Sequence, residues 1–139
     1  MNERFVAGFF YGLFMDARVL RELGASPANP RRACVEGFRL RVGSRATLVP
    51  RAGSRVYGMV IALTHSDLER LYAAPGLDGY RPEAVLAHCL DGETVPALCY
   101  NLPDEPRSTE RNAVYAARLQ NLLRELKFPA EYVDSIIAG

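Results

Sequence analysis

The sequence predicts a mixed α+β domain: a small, largely antiparallel β-barrel or strongly curved sheet with flanking helices. Three observations predict it. Strand-like segments crowd the middle of the chain, from Ala33 to Tyr100. Short helical stretches interrupt these segments without alternating regularly with them, which argues against a doubly wound parallel sheet. Near the C-terminus, Val114, Leu119, Leu122, Leu123 and Leu126 recur close to a helical period, so an amphipathic helix closes the chain. The usual size of such sheets sets the expectation at roughly five to seven strands.

Taken in order, Arg4 to Phe10 is an apolar run of strand length stopped by Tyr11-Gly12. Asp16 to Leu23 carries Val19, Leu20 and Leu23 at helical spacing, and Gly24 ends it. Ala25 to Arg32 holds Pro27 and Pro30 and reads as a loop. Ala33-Cys34-Val35 leads into the alternating segment Phe38 to Val42, and Ala46 to Val49 is short and apolar. Val56 to Leu63 is β-branched and largely apolar, as expected of a strand buried on both faces. Ser66 and Glu69 form a capping-box pattern that starts a short helix through Leu71 or Ala73, and Pro75-Gly76 stops it. Tyr80 to Leu90 and Val95 to Tyr100 flank Asp91-Gly92, the signature of a hairpin. Ser108 or Thr109 is placed to cap the long helix, which then runs to about Lys127. Pro129 opens a second short helix, where its missing N–H costs nothing.

With 139 residues, the natural reading is one domain over 1–139. Hydrophobic residues at 49% and charged residues at 24% are ordinary for a globular chain able to bury a core without staples. Seventeen basic against sixteen acidic side chains leave a formal charge of +1, which gives no reason to expect nucleic acid or an anionic membrane as partner. The basic side is almost wholly arginine, with Lys127 the single lysine. The cysteines, Cys34, Cys89 and Cys99, are odd in number and form no CxxC pair, so neither a disulfide framework nor a zinc site is indicated. Their apolar surroundings fit a reducing compartment. MNERF lacks the pattern of a secretory leader, and Val6 to Met15 is too short to span a bilayer. A soluble cytoplasmic protein is expected.

Nucleotide signatures are absent: there is neither GxxxxGK[ST] nor GxGxxG, and no GxSxG elbow. His65 and His88 have no metal-ligand partner at useful spacing, so no metal and no cofactor is expected. His88 and Cys89 are neighbours on a strand and point to opposite faces, which disfavours a Cys-His nucleophile. Three clusters remain. They are Tyr11-Gly12-Leu13-Phe14, the segment Pro75 to Glu83, and Tyr115 with Phe128-Pro129-Ala130-Glu131-Tyr132.

These clusters, with Val56-Tyr57-Gly58-Met59-Val60, resemble in order the motifs of the γ-glutamylcyclotransferase-like family, which includes the AIG2-like group. The family opens with a strand ending in Tyr-Gly, continues with Val-x-Gly-x-Val, and follows a short helix with an acidic-Gly step and a tyrosine. Here Leu68 to Leu71, Pro75-Gly76 and Tyr80 occupy the latter places. Some members carry a tyrosine, twelve residues, an apolar-Pro pair and x-Glu-Tyr, which Tyr115 to Tyr132 repeats without a gap. The resemblance covers nearly the whole chain and implies a small barrel with a cavity at the Tyr-Gly loop. The loop's backbone N–H groups would hold a carbonyl or carboxylate of a γ-glutamyl group. A glutamate in the acidic-Gly step would shuttle a proton as the substrate's α-amine attacks its own γ-carbonyl, releasing 5-oxoproline and an amine.

The chain departs from the family at those two points. Pro75 stands where the family has its catalytic glutamate, and a slip of three residues offers only Tyr72. Leu13 and Phe14 follow Tyr11-Gly12 where the family has a Ser or Thr. Asp78 and Glu83 are the carboxylates nearest the missing acid. The substrate-binding set implied by the resemblance is Tyr11, Gly12, Leu13, Phe14, Tyr80 and Tyr115. For each tyrosine alone, a core role with a satisfied hydroxyl competes with a ligand role. Three readings follow: a cyclotransferase with a relocated acid at Asp78 or Glu83, a non-catalytic binder of a small γ-glutamyl-like or amine-bearing ligand, or an interaction module whose pocket Leu13 and Phe14 fill. Pro75 tips the balance toward the second. The expected partner is a small molecule, and a homodimer is allowed.

Overall fold

The computed structural model describes residues 4–136. Five strands close into a barrel in the order β1-β3-β2-β4-β5. They are β1 (Phe5–Phe10), β2 (Ala28–Val42), β3 (Ala46–Thr64), β4 (Arg81–Cys89) and β5 (Thr94–Asn101). Four α-helices accompany them: α1 (Ala17–Glu22), α2 (His65–Tyr72), α3 (Ala113–Glu125) and α4 (Ala130–Asp134). All pairings are antiparallel except the closing one, where β1 runs parallel to β5 through Gly8 and Leu98. The expected fold class holds. No described helix is long and apolar enough to cross a membrane.

β1 and β3 pair from Phe5 with Thr64 to Phe10 with Met59. Their backbones lie so close that a Cβ on Gly58 would meet the Phe10 carbonyl oxygen at 2.3 Å. A glycine at this point is a steric requirement. Phe9, Val56, Val60, Ile61 and Leu63 are fully or almost fully buried along this seam.

Two strands are longer than their local sequence suggests. The stretch Ala25 to Arg32 is not a loop throughout, because β2 already begins at Ala28. The register jumps from Ala28 opposite Ala62 to Arg31 opposite Val60, with Asn29 in the left-handed region at φ 50°. Pro30 falls inside that bulge, where no ladder hydrogen bond needs its missing N–H. Likewise Ala46–Val49 and Val56–Leu63 belong to one strand. Between Glu36 opposite Arg55 and Phe38 opposite Pro50 the ladder slips by several residues on the β3 side. The polar segment at 51–54 bulges outward without ending the strand.

The helices dock by their caps and apolar faces. α2 is capped by Thr64, whose hydroxyl accepts from the Asp67 amide at 3.1 Å. The Ser66–Glu69 pattern therefore starts the box two residues late, because Thr64 already has the extended backbone a cap needs. Asp67 is buried, accepts from the Ser26 amide at 3.0 Å and pairs with Arg70. The longest helix, α3, begins at Ala113 under an Asn112 cap and not at Ser108 or Thr109. Its buried face is Ala116, Leu119, Leu122 and Leu123, while Val114, expected on the apolar stripe, is 72% exposed. Pro129 caps α4, as the missing N–H allows.

Two measurements check this packing. Leu123→Ala removes a side chain with no exposed surface and should cost about 2–5 kcal/mol in chemical denaturation, whereas Val114→Ala should stay within about 0.5 kcal/mol. The carboxyl of Asp67 is held below its ordinary value, first by the Ser26 amide and then by Arg70. A depressed carboxyl stabilises the fold above its unfolded pKa and loses that contribution as pH falls through the folded value. Asp67→Ala should therefore cost about 1–3 kcal/mol at pH 7, and the difference from wild type should shrink as pH drops below the ordinary 3.8.

Candidate functional site

The end of β1 turns directly into a single 3₁₀ turn, Leu13–Met15, and then into α1, which Asp16 caps through the Arg18 amide at 2.9 Å. Tyr11 is buried at the base of this turn and donates its hydroxyl to the Tyr100 carbonyl at 2.8 Å. Gly12 follows at φ −114°, which any residue can adopt, so its small size answers a steric need. A Cβ there would lie 2.4 Å from the Tyr115 hydroxyl oxygen. The Leu13 amide lies near that hydroxyl. The Gly12 and Phe14 amides donate to no backbone carbonyl among the described residues.

Tyr115 is brought here by the start of α3. Asn112 accepts from the Tyr115 amide at 3.0 Å and donates to the Ser44 carbonyl at 3.1 Å. Glu110 accepts from the Ser44 amide at 3.2 Å, from the Ser44 hydroxyl at 2.5 Å and from the Arg107 amide at 2.6 Å. The turn between β2 and β3 is thus clasped to the loop before α3.

The 74–80 loop forms another wall. Arg45 reaches across from the β2–β3 turn, donates to the carbonyls of Asp78 at 2.5 Å and Gly76 at 3.4 Å, and lies 5.5 Å from the Tyr80 ring centroid. Tyr80 in turn donates to the Ala46 carbonyl. Tyr72, from the end of α2, stacks on Tyr100 with centroids 4.0 Å apart and planes 9° from parallel. Phe14 meets Tyr72 edge-on at 5.7 Å.

These groups enclose a cavity of about 350 Å³. Tyr11, Gly12, Leu13, Phe14, Tyr80 and Tyr115 all line it, so the six residues singled out from the sequence converge on one space. Phe10, Tyr72, Tyr100, Ser44, Arg45 and Ala46 line it as well. No local motif marks Ser44 and Arg45, which sit in the turn between β2 and β3. Tyr100 reads from the sequence as a core aromatic, and Tyr72 as the residue that a three-residue slip sets at the Pro75 position.

Asp78 and Glu83 are placed elsewhere. Neither lines the cavity, and both are exposed. Asp78 contributes only its carbonyl oxygen, to Arg45. The Glu83 carboxylate accepts from Asn101 at 2.9 Å. Pro75 is exposed too, and the wall beside it presents Ala74 and Leu77. Among the described residues the lining holds no carboxylate, no histidine and no lysine, and its one charged group is Arg45. No described group of three or more His, Cys, Asp or Glu could hold a metal ion.

The electrostatics follow from burial. Desolvation pushes the Tyr11 and Tyr72 phenols well above their ordinary value. It raises Tyr80 to about 12 against the pull of Arg45, and Tyr115 to about 12 against the pull of the Leu13 amide. These hydroxyls are neutral at pH 7 and act as hydrogen-bonding groups only. One carboxylate in contact with a lining residue is Glu110, behind Ser44. It is lowered to about 2, first by the Ser44 hydroxyl and then by the Arg107 and Ser44 amides. It stays ionised and spent on the clasp.

Over residues 8–118 the chain matches the family described as gamma-glutamyl cyclotransferase, AIG2-like. Among solved structures it is similar to a protein named gamma-glutamyl cyclotransferase, with a TM-score of 0.80 and 18% identity over 98% of this chain and 90% of that one. An uncharacterised protein from Homo sapiens matches with a TM-score of 0.78 and 20% identity over 99% and 90%. YkqA from Bacillus subtilis matches with a TM-score of 0.76 and 22% identity over 99% of this chain and 57% of its own. At these identities the likeness is one of fold. No curated protein matches significantly.

The contact between Gly12 and Tyr115 can be tested by a double-mutant cycle. Gly12→Ala should destabilise, since the hydroxyl 2.4 Å from the new methyl must move. Tyr115→Phe removes that oxygen and leaves the ring carbon at 3.7 Å, an ordinary contact. The double variant should recover part of the loss, with a coupling of about 0.5–3 kcal/mol in thermal or chemical denaturation. Simple additivity would mean the hydroxyl is not what excludes a side chain at position 12.

Proposed function

This chain belongs to the gamma-glutamyl cyclotransferase, AIG2-like family, and on that footing we propose that it binds a small γ-glutamyl-like or amine-bearing ligand without cyclising it. The observation that carries the reading is a cavity of about 350 Å³ lined by tyrosines, phenylalanines and one arginine, with no carboxyl among its described walls. That volume lies in the range of small-molecule sites, which bury apolar surface and fix orientation with a few polar groups. Here those groups are the Gly12 and Phe14 amides and the Arg45 guanidinium, all suited to a carbonyl or carboxylate end. The faces of Tyr72, Tyr80 and Tyr100 suit a cationic or apolar remainder.

Cyclisation asks for more. A proton must leave the attacking ammonium and reach the departing amine, through a group whose pKa lies near the working pH. The cavity offers phenols shifted far above that range and a guanidinium, which is a hydrogen-bond donor only. Missing such a group typically removes a factor of about 10²–10⁴. Asp78 and Glu83, the candidates for a relocated acid, stand outside the lining. A pure interaction module is less well supported, because Leu13 and Phe14 border the cavity without filling it.

The deciding experiment combines 5-oxoproline release with calorimetry over γ-glutamyl amines, γ-glutamyl amino acids and glutathione. Saturable binding with no appreciable release is expected, and Arg45→Ala should weaken it by roughly tenfold, about 1.4 kcal/mol. Pro75→Glu should leave release at background because Pro75 is exposed. Robust release that survives Asp78→Asn and Glu83→Gln would overturn the reading, and no binding by any member of the panel would do the same.

A further inference from the structure

The aromatic cavity is one-sided in charge. Its one charged lining group is the Arg45 guanidinium, and no carboxylate is among its described walls. Arg45 is exposed, so this charge stands at the mouth, while Phe10 and Tyr11, which line the same space, are buried. A guanidinium carries five N–H donors. The hydrogen bonds that Arg45 makes to the described residues, to the Asp78 and Gly76 carbonyls, both leave from Nη1. The Nε and Nη2 donors are left over, and a carboxylate takes such a pair with both of its oxygens.

The walls offer much less to a cation. An ammonium inside would face the Arg45 charge with no carboxylate among the described lining to offset it, and an uncompensated charge is costly in a desolvated space. The ring faces that could stand in for a counter-ion are largely in use. Arg45 itself lies over the Tyr80 ring, 5.5 Å from its centroid. Tyr72 and Tyr100 are stacked on each other with centroids 4.0 Å apart, and the Phe14 and Tyr80 rings lie against Tyr72 at 5.7 and 5.9 Å. Of the carbonyl oxygens around the cavity, those of Tyr100 and Ala46 already accept from Tyr11 and Tyr80, and those of Asp78 and Gly76 from Arg45. Leu13, Leu23, Ala74 and Leu77 add apolar wall.

Resting on the reading of this cavity as a binding site for a γ-glutamyl-like or amine-bearing ligand, we propose that the ligand is a small carboxylate with an apolar body and no free ammonium, its carboxylate on Arg45 at the mouth and its body among the rings. A γ-glutamyl ligand of this class lacks its α-amine or carries it acylated, and so has no free amine to attack the γ-carbonyl. The test is a matched pair in calorimetry at constant ionic strength: γ-glutamylanilide and glutaric acid monoanilide, which differ only in the α-ammonium. The monoanilide should bind saturably and about tenfold tighter or more, since a desolvated charge without a partner costs at least that factor. Arg45→Ala should weaken the monoanilide about tenfold and shrink the preference for it, because the variant removes both the attraction for the carboxylate and the repulsion of the ammonium. Loss of an arginine that merely braces the 74–80 loop would weaken both anilides alike, and an unchanged ratio overturns the proposal. γ-Glutamylanilide binding as tightly as the monoanilide, or tighter, overturns it while the binding reading stands. No saturable binding of either compound overturns both.

Discussion

The Tyr115 hydroxyl occupies the space that a side chain on residue 12 would need. Much of the site depends on that contact. It fixes the end of β1 against the first turn of α3, two segments about a hundred residues apart in sequence. The Leu13 amide lies near the same hydroxyl, in the turn that follows Gly12. The position of Tyr115 is set in turn by the Ser44 clasp. Glu110 and Asn112 grip both polar ends of that one residue and so determine where α3 can begin. Strand end, hairpin turn and helix start are locked by a few hydrogen bonds and one excluded methyl.

The same packing decides what the cavity can do. Tyrosines brought together in a desolvated space remain neutral, and their hydroxyls are largely committed to backbone partners such as the Tyr100 and Ala46 carbonyls. The rings contribute shape and faces, with Tyr72 and Tyr100 stacked as a plate and Phe14 set on edge against it. Pairs of this kind add about 0.5–1.5 kcal/mol each beyond their buried area. They make a packed aromatic wall on the cavity. The family fold is retained around an aromatic lining, and because a fold does not by itself fix an activity, the two are argued separately here.

The long β2–β3 pair supports the aromatic cavity. Its turn supplies Ser44, Arg45 and Ala46 to that cavity, and the far side of β2 leaves a free edge at 39–42. A barrel closed over its whole length would have no such edge. β4 meets β2 only at Ala33 and Cys34, so the barrel closes over a short stretch and residues 39–42 of β2 pair with β3 alone.

Local chemistry alone determined a good part of this protein. The apolar run into Tyr11-Gly12, the Asp16 start of α1, the Asp91-Gly92 hairpin and the mixed barrel class are written in short-range patterns, and short-range forces form them. The four ordered motifs carried the family. Only the tertiary structure decided the rest. Bulges at Asn29 and after Glu36 let strands run on through proline and glycine, because the partner strand continues to supply hydrogen bonds on either side. Ser108 and Thr109 have good capping chemistry, yet α3 starts at Asn112 because Ser44 holds the preceding loop elsewhere. Asp78 and Glu83 are close to Pro75 in sequence but lie outside the cavity lining, and Arg45, distant in sequence, borders it. Side-chain direction at a barrel mouth depends on register and closure, which are properties of the whole sheet and are not encoded in any one segment.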